Sequence, residues 1–454
     1  MILEDAISDP SLLLRGGTIL TLDAGATVLR GADLLVRDGR IASLGVPEPP
    51  PGTRILDVAG CLVLPGLIQG HLHLGQTFFR GLAEGRRLLA WLRERIWPLE
   101  AAHDDESAYW CGLLGAAECL LGGTTTIQDI GIGPGSRGLL QAIADSGLRA
   151  FAGQCLMDSG DGLPAPMRQP TDVVLDETAA LGDRFDGADG GRVRYALNPR
   201  FILTCSDPLW EGIRELSARR GWPVHTHALE QRDETLAVRE LKGGRDEIEY
   251  FDDQGILGTD LRLAHGVWIT QEHLGRAREG HLSVVHCPSS NLKLGSGIAD
   301  LLALRQAGVP VGIGCDGAAC SNHLDNFEEV RLAALLQKVK HGPDSFSGLD
   351  ALRLATSEGA RALGLQEETG TIEPGKLADL VVLATDRPEL WAAPQTDPHD
   401  VVAFGASRAA VRHVLVGGRL LVENGRLTGL DLEEIYRQSN RCLSELIRRS
   451  GVAF

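Results

Sequence analysis

No apolar run in the 454-residue chain exceeds eight residues. A membrane-spanning helix needs about 20, so none is expected. The opening MILEDAISDP lacks the basic and apolar regions of a secretory signal, so none is expected there either. A basic surplus is also missing: 44 Lys and Arg stand against 61 Asp and Glu, a formal charge of −17. Nucleic acid or an anionic membrane surface would need the opposite balance, so neither is expected as a partner. A neutral or cationic small molecule suits the charge better. The nine Cys form no CxxC pair, which argues against a disulfide framework and for a reducing, cytoplasmic setting. No solenoid period or low-complexity tract is present.

What is there is the composition of a protein with a large core: 43% hydrophobic and 23% charged residues. The length allows two or three domains, or one α/β barrel with additions. Near the start, LLLRGGTILTL, ADLLVRDG and RIASLG alternate apolar and polar residues around glycine turns, the pattern of a half-buried sheet. The texture returns in ADLVVLATD and VRHVLVGGRLLVENGRL, which predicts one β domain built from both ends, residues 1–64 and 366–430. Residues 431–454 are expected to form a C-terminal helix. Between them, residues 65–365 alternate short apolar runs with amphipathic helical segments. Eight candidate strands stand out: GLIQGH, TTTIQD, LRAFAG, VRYALN, WPVHTH, LRLAHG, LSVVHC and VPVGIGCD. Eight strand–helix repeats predict an α/β fold of the (β/α)8 barrel class, with its chemistry at the C-terminal strand ends. The Gly/Pro/Asp-rich stretch 157–192 reads as a long loop on that face.

Polar residues suited to metal chemistry fall at those strand ends. His71 and His73 close the first strand, His225 and His227 the fifth, His265 the sixth, His286 the seventh and Asp316 the eighth. Residues two apart on a strand share a face, so His71 and His73 point into one cavity. Three imidazoles and a carboxylate converging there suit a borderline cation such as Zn2+, with a position left for water. One such residue alone is more often a hydrogen-bonded core group; the set at four strand ends is what points to a metal.

PGLIQGHLH, THALE, AHG, HCPSSNLKLGSG, GIGCDGAACSNHLDNFEEVRLAALLQK and GKLADLVVL resemble the amidohydrolase superfamily over essentially the whole chain. The likeness is greatest to the branch of purine, adenosine-type nucleoside and s-triazine aminohydrolases. It implies a distorted (β/α)8 barrel, a β-sandwich from both chain ends, and a homodimer or higher homo-oligomer. It also implies His71, His73, His227 and Asp316 as the ligands of one divalent ion, Zn2+ or alternatively Fe2+. His225 then becomes a buried neighbour. No Lys lies near the fourth strand, where binuclear relatives carry one, so a mononuclear site is expected.

By the same resemblance Glu230 is the general acid/base and His265, with Asp316, handles the proton of the water. The reaction implied is hydrolytic loss of an exocyclic amine, as ammonia, from a purine-like ring. An adenosine-type nucleoside or aminopurine is the first reading; guanine, pterin or s-triazine substrates follow, and cyclic amides are more distant. Gln76, Arg80 and Trp97 lie in the segment that covers the pocket in relatives, together with Phe79, Glu84 and Trp91. Arg200 and Phe201 follow the fourth strand in NPRFILTCS, which resembles guanine deaminase, whose arginine contacts the base carbonyl. A guanidinium is a fixed donor fork suited to a carbonyl or carboxylate. Asn291, Lys293 and His286 are expected near the site, Asn322 and Asp325 in loop-fixing turns, and Cys315 and Cys320 as small packing residues.

Overall fold

A computed structural model describes residues 11–45, 48–277, 281–393 and 395–453. The chain divides into two units. The first comprises Met1–Ile68, Cys119–Thr126 and Asp325–Leu430; the second comprises Gln69–Glu118, Ile127–Leu324 and Asp431–Phe454.

The first unit is organised on a nine-stranded sheet to which both ends of the chain contribute. Leu12–Leu20 pairs antiparallel with Val28–Arg37 and parallel with Arg54–Asp57 and Cys61–Pro65. Cys61–Pro65 in turn pairs antiparallel with Leu380–Ala384, which is where the N-terminal and C-terminal strands meet. Alternation explains the sheet: Leu12, Leu14, Ile19, Leu34, Val36, Val63, Leu380 and Val382 are buried in one apolar cluster. The helices Asn326–His341, Gly348–Leu354 and Ser357–Ala362 also fall in this unit.

Eight strand positions expected from the sequence are present. They are β1 Leu67–His73, β2 Thr124–Asp129, β3 Arg149–Ala152, β4 Val193–Tyr195, β5 Val224–Ala228, β6 Leu261–His265, β7 Leu282–His286 and β8 Val311–Ile313. A two-residue extension, β9 (Asp316–Gly317), follows β8. Two sheets result, in the orders β4-β3-β2-β1-β9 and β5-β6-β7-β8. Every pairing in the second sheet is parallel, as are β3 with β4 and β1 with β9. A parallel bridge joins Leu197, just past β4, to Val224 of β5. The fold is thus mixed α/β with parallel sheets. Parallel strands carry residues buried on both faces, and β1, β2, β6 and β7 are buried at every position.

Helices separate the strands. Asp207–Arg220 is capped by Ser206, whose side chain accepts from the Leu209 N–H, and it stops at Gly221 in the left-handed region. Residues 157–192 depart from the expected loop, because Thr171–Phe185 is a 15-residue helix. It buries Val174, Thr178, Gly182 and Phe185, a spacing of one helix face. The flanking Gly, Pro and Asp residues mask that period in the sequence. The helix expected at the C-terminus spans Leu432–Ser450. Among the described residues no helix is long and apolar enough to cross a membrane.

Candidate metal centre and its cavity

The C-terminal ends of β1, β5 and β8/β9 bring His71, His73, His227 and Asp316 together. One potential ligand atom from each lies within 4.8 Å of all the others. β1 delivers its two histidines by alternation, and the pairing of Asp316 with Leu72 sets the carboxylate between them. The approach is close: a Cβ on Gly314 would stand 2.4 Å from the His71 carbonyl oxygen, so glycine is required there.

The hydrogen bonds fix which imidazole nitrogens face the centre. His225 Nδ1 donates to the Arg262 carbonyl at 2.9 Å, so its Nε2 is an acceptor. His71 Nδ1, 2.8 Å away, must donate to it. That leaves His71 Nε2 with a bare lone pair, buried, without a hydrogen-bond partner and 3.4 Å from Asp316 Oδ1. His227 Nδ1 donates to the Arg200 carbonyl at 2.7 Å, which turns its Nε2 inward as well. His73 Nε2 is 3.1 Å from His227 Nε2 and 3.3 Å from Asp316 Oδ1. Burial pushes the imidazoles of His73 and His227 well below their ordinary pKa, keeping them neutral. Burial alone would raise the Asp316 carboxyl, but His71, His265 and His73 outweigh it and hold the pKa well below the usual range. Neutral imidazoles, an ionised carboxylate and an orphaned inward lone pair are what a divalent cation requires.

Two titratable groups, Glu230 and His265, adjoin this set. His265 Nδ1 lies 2.9 Å from Asn291 Oδ1 and donates to it, leaving Nε2 bare. That Nε2 is 3.5 Å from Glu230 Oε2 and 3.8 Å from Asp316 Oδ2. Burial raises the Glu230 carboxyl, against the attraction of His265. Ser296 donates to Glu230 Oε1 at 3.2 Å and Ser290 to Asp316 Oδ2 at 2.6 Å. Leu229, His265 and Asp316 all have positive φ, at 55°, 72° and 61°. Non-glycine residues in this region are strained, and such strain gathers at sites where side-chain aim outweighs it.

A narrow cavity opens onto the cluster. His73, His227, Glu230, His265 and Asp316 line its inner end; Leu88, Trp91, Leu92, Arg200, Phe201 and Leu294 line the rest. Of the residues expected to meet substrate, Arg200 and Phe201 are therefore at the cavity. Gln76 is buried behind it, donating through Nε2 to Glu100 Oε1 at 2.8 Å and lying 3.2 Å from His73 Nδ1. Trp97 is buried in an apolar cluster and is not among the lining residues; Trp91 is. Arg80 is directed elsewhere, to an ion pair with Glu118 at 2.6 Å. Lys293 pairs with Glu84 at 2.8 Å. His286 is buried with neither ring nitrogen hydrogen-bonded. Cys320 packs in the apolar cluster, and Cys315 accepts from Gln69 Nε2 at 3.0 Å.

Glu100 is the residue that sequence reasoning missed. It is fully buried and accepts from Gln76 on one oxygen and from Arg200 Nη1, at 2.6 Å, on the other. Burial would lower the Arg200 pKa, but Glu100 outweighs it and keeps the guanidinium charged. Its local sequence, WPLE, holds no pattern that marks it.

The amidohydrolase family model matches residues 62–421, and the chain belongs to that family of metal-dependent hydrolases. It is a carbon–nitrogen hydrolase. It is 33% identical over 446 residues to a 5'-deoxyadenosine deaminase of Methanobrevibacter smithii, covering 97% of this chain and 99% of the relative. It is also 33% identical over 447 residues to a 5-methylthioadenosine/S-adenosylhomocysteine deaminase of Pelotomaculum thermopropionicum, covering 97% and 99%. Among solved structures, a zinc-bound adenosine deaminase from Xanthomonas campestris superposes with a TM-score of 0.89 at 29% identity. That match covers 97% of this chain and 99% of the other.

Proposed function

We propose that this site removes an exocyclic amine, as ammonia, from a purine-like heteroaromatic ring. The observation that carries the reading is the convergence of His71, His73, His227 and Asp316 beside Glu230 and His265 at one end of a cavity. Deaminase relatives matched along nearly their full length support it. His71, His73, His227 and Asp316 would hold one divalent ion, Zn2+ in the first instance, as in the zinc-bound structural neighbour. When bound, such a cation supplies Lewis acidity that lowers the pKa of water from 15.7 toward about 7.

The chain's own residues then divide the proton work. Asp316 and the bare Nε2 of His265 take and hold a proton of the attacking water as its oxygen bonds to the ring carbon. Glu230, whose carboxyl burial shifts upward, donates its proton to the adjacent ring nitrogen as that carbon becomes tetrahedral. The exocyclic C–N bond breaks, and the amine leaves with a proton returned through Glu230. Arg200 and Phe201 orient the ring. Arg200 is a buried donor, which favours a ring bearing a carbonyl over one without. A guanine- or pterin-type substrate is therefore the second reading beside the adenosine type, with s-triazines after them.

The strand order and the Leu197–Val224 bridge support a distorted (β/α)8 barrel spanning residues 65–365. The nine-stranded sheet from residues 1–64 and 366–430 would be the β-sandwich, and a homo-oligomer in the cytoplasm is the expected setting. The test is Glu230→Gln. It is expected to retain metal while turnover falls 10²–10⁴-fold, measured as ammonia release with metal content read in parallel. Near-normal turnover in a metal-replete variant would remove Glu230 from the mechanism.

A further inference from the structure

We propose that the cavity takes a sugar-free aminated base and discriminates against the corresponding nucleoside; this rests on the deaminase reading above. The argument is one of donors and acceptors. Away from the metal cluster, Glu230 and His265, the cavity is lined by Leu88, Trp91, Leu92, Arg200, Phe201 and Leu294. Four of these side chains are pure hydrocarbon. The other two, Arg200 and Trp91, carry hydrogen-bond donors and no acceptor. Trp91 Nε1 is buried without a partner. Ring carbonyls and ring nitrogens are acceptors and match such a wall. The vicinal hydroxyls of a ribose need acceptors as well as donors, and the wall's side chains supply none.

The carboxylate behind Arg200 is already engaged. Glu100, behind Arg200, has its oxygens occupied by Gln76 and Arg200 and is fully buried. A ribose entering the cavity would shed water from its hydroxyls against Leu88, Leu92, Phe201 and Leu294. Each hydroxyl left without a partner lowers affinity by about 10-fold.

The test uses matched pairs, guanine with guanosine and adenine with 5'-deoxyadenosine, on the metal-loaded full chain. Binding is read by quenching of tryptophan fluorescence and turnover by ammonia release. Each base is expected to bind at least about 10-fold more tightly than its nucleoside, with kcat/KM ordered the same way. Leu88→Asn, which places an acceptor on the wall, is expected to narrow the gap. Tighter base binding without ammonia release upholds this inference and removes the deaminase reading instead. Equal or tighter binding of the nucleosides, or no binding of either base, overturns it.

Discussion

Replacing Glu100 by Gln probes the link between the cavity wall and the candidate metal centre. Glu100 Oε2 and Arg200 Nη1 are 2.6 Å apart, with side chains 0% and 4% exposed. Charge centres about 4 Å apart attract by about 4 kcal/mol at an effective dielectric of 20. Desolvating both groups offsets much of that, so the intact pair contributes little net stability. Breaking it is another matter. Glu100→Gln leaves the Arg200 guanidinium buried without its counter-charge, which costs about 3–5 kcal/mol. With an unfolding entropy of about 2.1 cal/mol/K per residue over 454 residues, each kcal/mol moves Tm by about 1 °C, so the expected fall is about 3–5 °C. The double variant Glu100→Gln/Arg200→Met removes both charges and is expected to recover most of the loss. Gln76 also loses its carboxylate acceptor in the single variant, so metal affinity through His73 should weaken with stability. Denaturant unfolding of wild type, both single variants and the double variant gives the coupling directly. A loss below about 1 kcal/mol in Glu100→Gln, or a double variant no more stable than that single one, would refute the reasoning.

Two further outcomes follow from buried histidines. His225→Phe deletes the acceptor of His71 Nδ1 and frees that ring to turn or change tautomer; metal affinity is expected to fall 10–100-fold in chelator competition, and unchanged affinity would make His225 mere packing. Burial depresses the His103 pKa to about 4 from 6.5, while the unfolded chain keeps the ordinary value. The unfolded state then binds the extra proton below pH 6.5, so His103's contribution is complete above that pH. It is lost progressively as pH falls toward 4, by roughly 3 kcal/mol. Denaturation midpoints of wild type and His103→Gln across pH 4–7 should converge on acidification, and parallel curves would exclude this titration.

Much of the candidate site was legible because strand geometry writes it into the sequence. An HxH pair at a strand end is a statement about one face, and a β1 buried on both sides appears as the apolar run GLIQGH. What failed to show were properties of three-dimensional neighbourhood. Arg80 and Trp97 sit in the same covering segment as Trp91, but only Trp91 faces the cavity. The segment turns through a five-residue π-helix, Leu92–Ile96, directly after Trp91. Six residues at about 100° each already turn Trp97 some 240° from Trp91, and the widened turn between them alters its facing again. Glu100 was hidden for a related reason, since its partners are 24 and 100 residues away. The helix Thr171–Phe185 was lost among flanking Gly, Pro and Asp, although its four buried positions keep helical spacing.

The backbone offers an independent reason to place the chemistry here. Of the positive-φ residues that are not glycine, Leu229, His265 and Asp316 lie in or beside the cluster of proposed reacting groups. Leu229 follows β5, His265 ends β6 and Asp316 opens β9, positions where a chain with no functional demand would use glycine. Relief is available by sequence: Gly266 follows His265 and Gly317 follows Asp316. Yet the strained conformation falls on the residue that carries the side chain, and Gly266 takes positive φ as well. Strain of this kind persists only where surrounding structure over-determines it. Here Asn291 fixes the His265 ring and Ser290 fixes the Asp316 carboxylate, from adjacent positions in the helix Pro288–Lys293. That one short helix aims both proposed proton acceptors, which a stability-driven strand end would have no cause to do.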